Sequence, residues 1–133
     1  MTELTVVRQL TSAPERVWRA FTTAEEMAAW FWPAAWDATS EVDLRVGGRF
    51  RITSTRVSLS GEYVAIEPHR RLVSTWRWDG DDDETLVTYT LEPSEEGTVL
   101  TIVHERFATV EDRDSHAQGW NDCLDRLPQH LAS

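Results

Sequence analysis

Residues 109–131, TVEDRDSHAQGWNDCLDRLPQHL, decide the fold. His116, Trp120, Cys123, Leu124, Leu127 and Leu131 recur at three- and four-residue steps, which makes one apolar stripe on an amphipathic helix. Thr109 with Asp112 can start that helix. Pro128 removes a backbone bond near its end, so a kink or a stop is expected there. A single helix of this kind must bury its stripe against something, and the chain before it offers a sheet.

From about Thr39 to Arg106 the sequence reads as strands divided by turn signals. Gly47-Gly48 reads as a tight hairpin between Glu41–Val46 and Arg49–Thr55. Leu59–Glu67, Leu72–Trp78, Thr85–Glu92 and Thr98–Arg106 follow, joined by short turns as in an antiparallel meander. Ahead of them, Leu4–Leu10 is rich in β-formers. Ser12 with Glu15 forms a capping-box pattern, and Pro14 suits a first helical turn. Thr23-Ala24-Glu25-Glu26 repeats the pattern for a second short helix that ends near Trp30, before Pro33. The expected architecture is α+β: a curved antiparallel sheet of about six to seven strands around a long C-terminal helix, with two short helices after strand 1. The whole of 1–133 is read as one domain.

Composition narrows the chemistry. The net charge is −10, which disfavours nucleic acid and anionic membrane surfaces as partners. No apolar run approaches the roughly 20 residues of a membrane span, and Met1-Thr2-Glu3-Leu4 does not open a secretion signal. The one cysteine, Cys123, cannot form an internal disulfide, which suits a cytoplasmic protein. The chain has no Lys, so no side-chain amine is present for Schiff-base chemistry. The histidines show no metal-ligand spacing. Counted from Asp79, the acidic loop places Glu84 and Thr90 where a calcium loop needs Gly and Glu. No metal and no cofactor is expected.

Certain short stretches together resemble the START-like, polyketide-cyclase-type (SRPBCC) superfamily, most of all the branch named for the activator of the heat-shock protein 90 ATPase. They are Ala13-Pro14-Glu15-Arg16-Val17-Trp18 with Ala20 and Phe21, then Trp30, Arg45-Val46-Gly47-Gly48-Arg49-Phe50 and Gly61-Glu62-Tyr63. Arg71-Leu72-Val73 with Thr75-Trp76, Gly97-Thr98 with Leu100-Thr101, and Gly119-Trp120 with Leu124 complete the set. The resemblance implies a helix-grip fold with a cavity between helix and sheet. It does not imply one activity, since that superfamily spans lipid carriers, receptors, cyclases, hydrolases and chaperone regulators. It also leaves a homodimer, formed through sheet edges or helices, open.

Period-two alternation supplies the cavity lining. Phe50, Trp76, Trp78, Tyr89 and His104 fall on inward strand positions, and His116, Trp120 and Leu124 on the helix stripe. Trp30, Trp32 and Trp36 belong to the unusual run Trp30-Phe31-Trp32-Pro33-Ala34-Ala35-Trp36. That run reads as a loop packed on the end of the sheet, as a hydrophobic gate, or as a patch that docks a partner. Each aromatic by itself can be ordinary core. Seven Trp in so short a chain favour a ligand-binding set.

His104 reads first as a hydrogen-bonded structural histidine and second as a candidate general base; His116 is its candidate partner across the cavity. Cys123 reads as a small core residue. Arg8 and Glu62 read as members of edge salt bridges or, for Arg8, as a holder of a ligand carboxylate. Three functions follow: a binding protein for a small hydrophobic, aromatic or lipid-like ligand; a cyclase or hydrolase using His104, Tyr89 or Arg8; and a chaperone-regulating interaction module. The third ranks lowest, because only the C-terminal-like module of a full chaperone activator is expected here.

Overall fold

The structure, a computed structural model, describes residues 2–132. Strand β1 (Thr2–Leu10) leads into helices α1 (Pro14–Thr22) and α2 (Ala24–Trp30), and a 3-10 turn follows at Ala34–Trp36. Six strands come next: β2 (Thr39–Val42), β3 (Arg49–Thr53), β4 (Ser58–Glu67), β5 (Arg71–Trp78), β6 (Thr85–Ser94) and β7 (Gly97–Phe107). Helix α3 (Val110–Ala132) closes the chain. The seven strands form one antiparallel sheet in the order β1-β7-β6-β5-β4-β3-β2. This is the expected α+β helix-grip architecture.

Alternation places the core as expected. Leu72, Ser74 and Trp76 of β5, Val87, Tyr89 and Leu91 of β6, and Leu100, Ile102 and His104 of β7 are all buried. Trp120, Cys123, Leu124, Leu127 and Leu131 of α3 meet them. Two bulges interrupt the alternation. In β4 the pairing slips between Tyr63 and Ala65, which sets Ile66 opposite Leu72 and packs it against the core. Near the end of β7, Arg106 takes a φ of 75° and the pairing with β1 shifts. Regular alternation would aim Arg106 inward; the bulge turns it out and buries Phe107 instead. The strand therefore runs one residue past its expected end.

The expected ends need other corrections. Ser12 does not cap α1. Ala13 occupies the N-cap, and the Ser12 carbonyl accepts a bond from Thr98 Oγ1 at 2.7 Å. Thr23 does cap α2 by position but makes no side-chain bond. Thr109 starts α3 as expected, accepting from the Asp112 amide at 3.1 Å. The helix does not stop at Pro128. Pro128 is exposed and lies in the last turn, where Leu131 is still buried and the His130 carbonyl accepts from Arg16. One missing bond there is tolerated because packing holds the turn. The Gly47-Gly48 hairpin is wider than expected. β2 ends at Val42, and Asp43–Gly48 curl back so that Gly47 donates to the Tyr63 carbonyl while Tyr63 donates to that of Gly48.

An ion cluster fastens the helices to one another. Glu26 of α2 accepts from Arg16 of α1 at 2.5 Å and from His130 of α3 at 2.9 Å. Burial by itself raises the Glu26 pKa, but these two bonds outweigh it and leave the carboxyl below its ordinary value.

Gly61 shows how closely β3 and β4 are packed. A Cβ there would lie 2.0 Å from the Thr75 carbonyl oxygen and 2.5 Å from the Phe50 ring. Gly61→Ala is expected to destabilise the fold by about 1–3 kcal/mol, measured by urea unfolding. An unchanged midpoint would contradict this packing.

Candidate functional site

The helix α3 presents two faces. Trp120, Leu124, Leu127 and Leu131 point into the core, and Trp120 also borders the cavity described next. His116, Gly119, Cys123 and Arg126 lie roughly a quarter-turn round the helix from them and line a cavity instead. Opposite stand Trp76 and Trp78 of β5, with Val57 from the loop before β4. Phe31, Trp32, Pro33 and Trp36 close the end, and Ser115, Asp122 and Asp125 reach the rim. The volume is about 870 Å³, within the range of small-molecule sites.

The tryptophan-rich run divides within a few residues. Trp30 is buried against Phe21, and its indole donates to the Ala20 carbonyl at 2.8 Å. Trp32 and Trp36 face the cavity. Trp32 stacks on Trp78 with ring centres 6.2 Å apart and planes 19° from parallel. Trp36 is held by its carbonyl, which accepts from Thr55, and Arg56 lies over its ring. Among the residues singled out from sequence, Trp32, Trp36, Trp76, Trp78, His116 and Trp120 thus come together around one space. Trp30, Phe50, Tyr89, His104 and Leu124 do not reach it. Phe50 packs on Tyr63, and Tyr89 on Phe21 and Trp120.

His104 sits directly behind the cavity wall with no exposure. Trp120 donates its indole N–H to His104 Nδ1 at 3.1 Å. That bond puts the imidazole proton on Nε2, which lies 2.7 Å from Thr85 Oγ1; Thr85 in turn donates to the Trp76 carbonyl at 3.3 Å. His116 is fixed in the opposite tautomer. Trp78 donates to its Nε2 at 2.9 Å, and its Nδ1 faces the Asp112 carbonyl at 2.7 Å. The two rings lie 5.0 Å apart, edge to face, with Phe107 against both. Burial, then the neighbouring His116, pushes the His104 pKa down to about 3. A neutral imidazole with both nitrogens engaged has no lone pair to offer a substrate.

The other chemical candidates are likewise occupied. The Cys123 thiol donates to the Phe31 carbonyl at 2.9 Å, and burial pushes its pKa up to about 12. Burial raises the Tyr89 phenol well above its ordinary value. Arg8 binds Asn121 Oδ1 at 2.7 Å, away from the cavity, and Glu62 pairs across the strands with Arg49 at 3.7 Å. Among the described residues, no three of His, Cys, Asp and Glu gather as metal ligands would. Arg126 is among the cavity residues that sequence reasoning missed, with Phe31, Val57, Gly119 and Cys123. Its guanidinium donates to the carbonyls of Trp30 (3.2 Å) and Phe31 (2.8 Å) at the end of α2. Its place three residues beyond Cys123, on the cavity side of the helix, was the available signal.

The family model of Activator of Hsp90 ATPase homolog 1-like protein matches residues 11–132. The chain belongs to that family. Among solved structures it is similar to a protein from Chromobacterium violaceum, at 27% identity and a TM-score of 0.88, over 100% of this chain and 99% of that one. It shares the fold of DynU16, a protein of the dynemicin biosynthetic locus, at 23% identity and a TM-score of 0.86, over 98% of this chain and 47% of that one. It also shares the fold of an HSP90 activator from Plasmodium falciparum, at 22% identity and a TM-score of 0.80, over 99% of this chain and 97% of that one. No curated protein matches the sequence. Among the described residues, no helix is long and apolar enough to cross a membrane.

His104 gives this family member an acid-sensitive core. The unfolded chain binds the imidazole proton near pH 6.5, the folded chain only near pH 3. Its contribution to stability is therefore complete above about pH 6.5 and is lost as pH falls through that window. By pH 5 the loss from this group is about 2 kcal/mol. Urea unfolding at pH 7 and pH 5 should show that slope in the parent and not in His104→Gln; the same slope in both would remove His104 as its source.

Proposed function

We propose that the chain binds a small hydrophobic ligand, aromatic or lipid-like, in the cavity between α3 and the sheet. One observation carries the reading: five tryptophans, Trp32, Trp36, Trp76, Trp78 and Trp120, converge on a space of about 870 Å³ that their own side chains leave open. Apolar burial at roughly 25 cal/mol per Å² supplies the affinity, and flat indole walls favour a planar ligand. The reading is one of binding without catalysis, because the candidate base, His104, lies behind the wall with both nitrogens engaged. A cytoplasmic location fits the lone, buried Cys123.

The family description supports a second reading, regulation of a chaperone ATPase. It requires a surface rather than a cavity. Measuring the ATPase rate of a heat-shock protein 90 with and without the chain tests it directly, and no change would remove it.

Gly119 separates ligand binding from packing. Nothing lies within 4 Å of a Cβ placed there, and the residue is in mid-helix on the cavity face. Gly119→Leu should keep or raise stability, by up to about 1 kcal/mol from helix propensity, while it fills the cavity. In the parent protein, aromatic ketones and lipids should quench tryptophan fluorescence on titration; in Gly119→Leu the affinity should fall at least tenfold. Equal binding by both proteins would place the ligand elsewhere.

A further inference from the structure

Trp78 and His116 line the cavity side by side, and one depends on the protonation state of the other. Trp78 is half-buried on β5, stacks on Trp32 with ring centres 6.2 Å apart and meets Trp76 edge to face at 5.7 Å. Its indole N–H donates to His116 Nε2 at 2.9 Å, so the bond needs the lone pair on that nitrogen. The other nitrogen, Nδ1, carries the ring proton toward the Asp112 carbonyl at 2.7 Å. A neutral His116 satisfies both contacts. A second proton has only Nε2 to bind, and there it takes the lone pair that holds Trp78 and sets two N–H groups against each other. The ring is half-buried and still meets the cavity. A ligand that fills the cavity therefore takes water from it, which disfavours its charged form.

We infer that ligand binding in the cavity is coupled to the proton on His116: the neutral imidazole latches Trp78 in the wall and accepts an apolar ligand beside it, and protonation undoes the latch and loosens the ligand. This rests on the binding role proposed above and adds its regulation. The sign follows from the geometry. The ligand selects the neutral ring, so affinity is full at neutral pH and falls as the solution is acidified, in the range where imidazoles take up protons. The groups around the ring do not reverse this. From β7, His104 lies 5.0 Å away and stays neutral, since burial pushes its pKa down to about 3, and Phe107 brings only carbon. From β5, Trp78 is uncharged, and Asp79 beyond it is paired with Arg51. On α3 itself, Asp112 meets the ring through its carbonyl and its side chain is exposed. Asp122 and Asp125, at the rim, are exposed too, where water and salt screen them.

N-Phenyl-1-naphthylamine, a neutral aromatic that fluoresces in apolar surroundings, tests the coupling. Its affinity for the parent protein should fall about tenfold between pH 7 and pH 5, the size of one lost hydrogen bond. His116→Gln offers Trp78 an acceptor that takes up no proton, and its affinity for the probe should be equal at the two pH values. In the parent protein the indole proton of Trp78, followed by ¹⁵N-edited NMR without the probe, should move upfield over the same range as it loses its acceptor, which makes the test independent of how His116→Gln folds. Equal affinity of the parent at both pH values, or the same fall in His116→Gln, refutes the coupling and leaves the binding cavity standing. If the probe binds at neither pH, the binding role fails. The Trp78 proton then decides the latch alone: a shift keeps it, and an unmoved signal refutes it.

Discussion

The bond from the Trp120 indole to His104 joins the long helix to β7, the strand next to the β1 edge of the sheet, and much of the site follows from it. It is a buried polar contact in an aromatic surround, so each partner would be left unpaired if the other moved. It sets the rotation of α3 about its axis. With Trp120 turned to β7, His116 comes against Trp78 on β5 and Asn121 comes against Arg8 on β1. The face carrying Gly119, Cys123 and Arg126 is then left over the cavity. One donor–acceptor pair thereby decides which helix residues become core and which become wall.

The bulge at Arg106 supports the same arrangement from the strand side. It brings Phe107 against both histidine rings, at 4.5 Å from His104 and 4.8 Å from His116. His104 is thus enclosed by carbon on the faces it does not use for hydrogen bonds, while His116 keeps one side toward the cavity. That enclosure is why His104 stays neutral. The histidines serve to hold tryptophans, and the tryptophans make the walls. His104 is therefore given over to architecture rather than to chemistry.

Much of the fold was legible because its periods are clean. The stripe from His116 to Leu131 and the alternation from Leu72 to His104 gave element order and inward faces correctly. What was not legible depends on contacts distant in sequence. Ser12 has the residue type of a cap, but its carbonyl is claimed by Thr98, so the helix starts one residue later. Pro128 reads as a stop, but Leu131 and the Arg16–Glu26–His130 cluster hold the turn beyond it. An Arg at an inward position followed by Phe, as at Arg106-Phe107, was a readable sign of a bulge. The site was legible as a set of aromatics and not as a boundary. Alternation separates inside from outside, but it does not separate core from cavity. Phe50, Tyr89 and His104 are all inward and all lie behind the wall, Phe50 packed on Tyr63, Tyr89 under Phe21 and Trp120, and His104 under Trp120.

The distribution of polarity completes the physical account. The chain carries its acidity on the outside, and the two carboxylates nearest the cavity are at its rim. Inside, every charge is absent or committed: Arg126 to the end of α2, His104 and His116 to indoles and backbone. A low-dielectric chamber of this kind discriminates little by charge attraction and strongly by unpaired hydrogen-bonding groups, since each such group costs most where water is excluded.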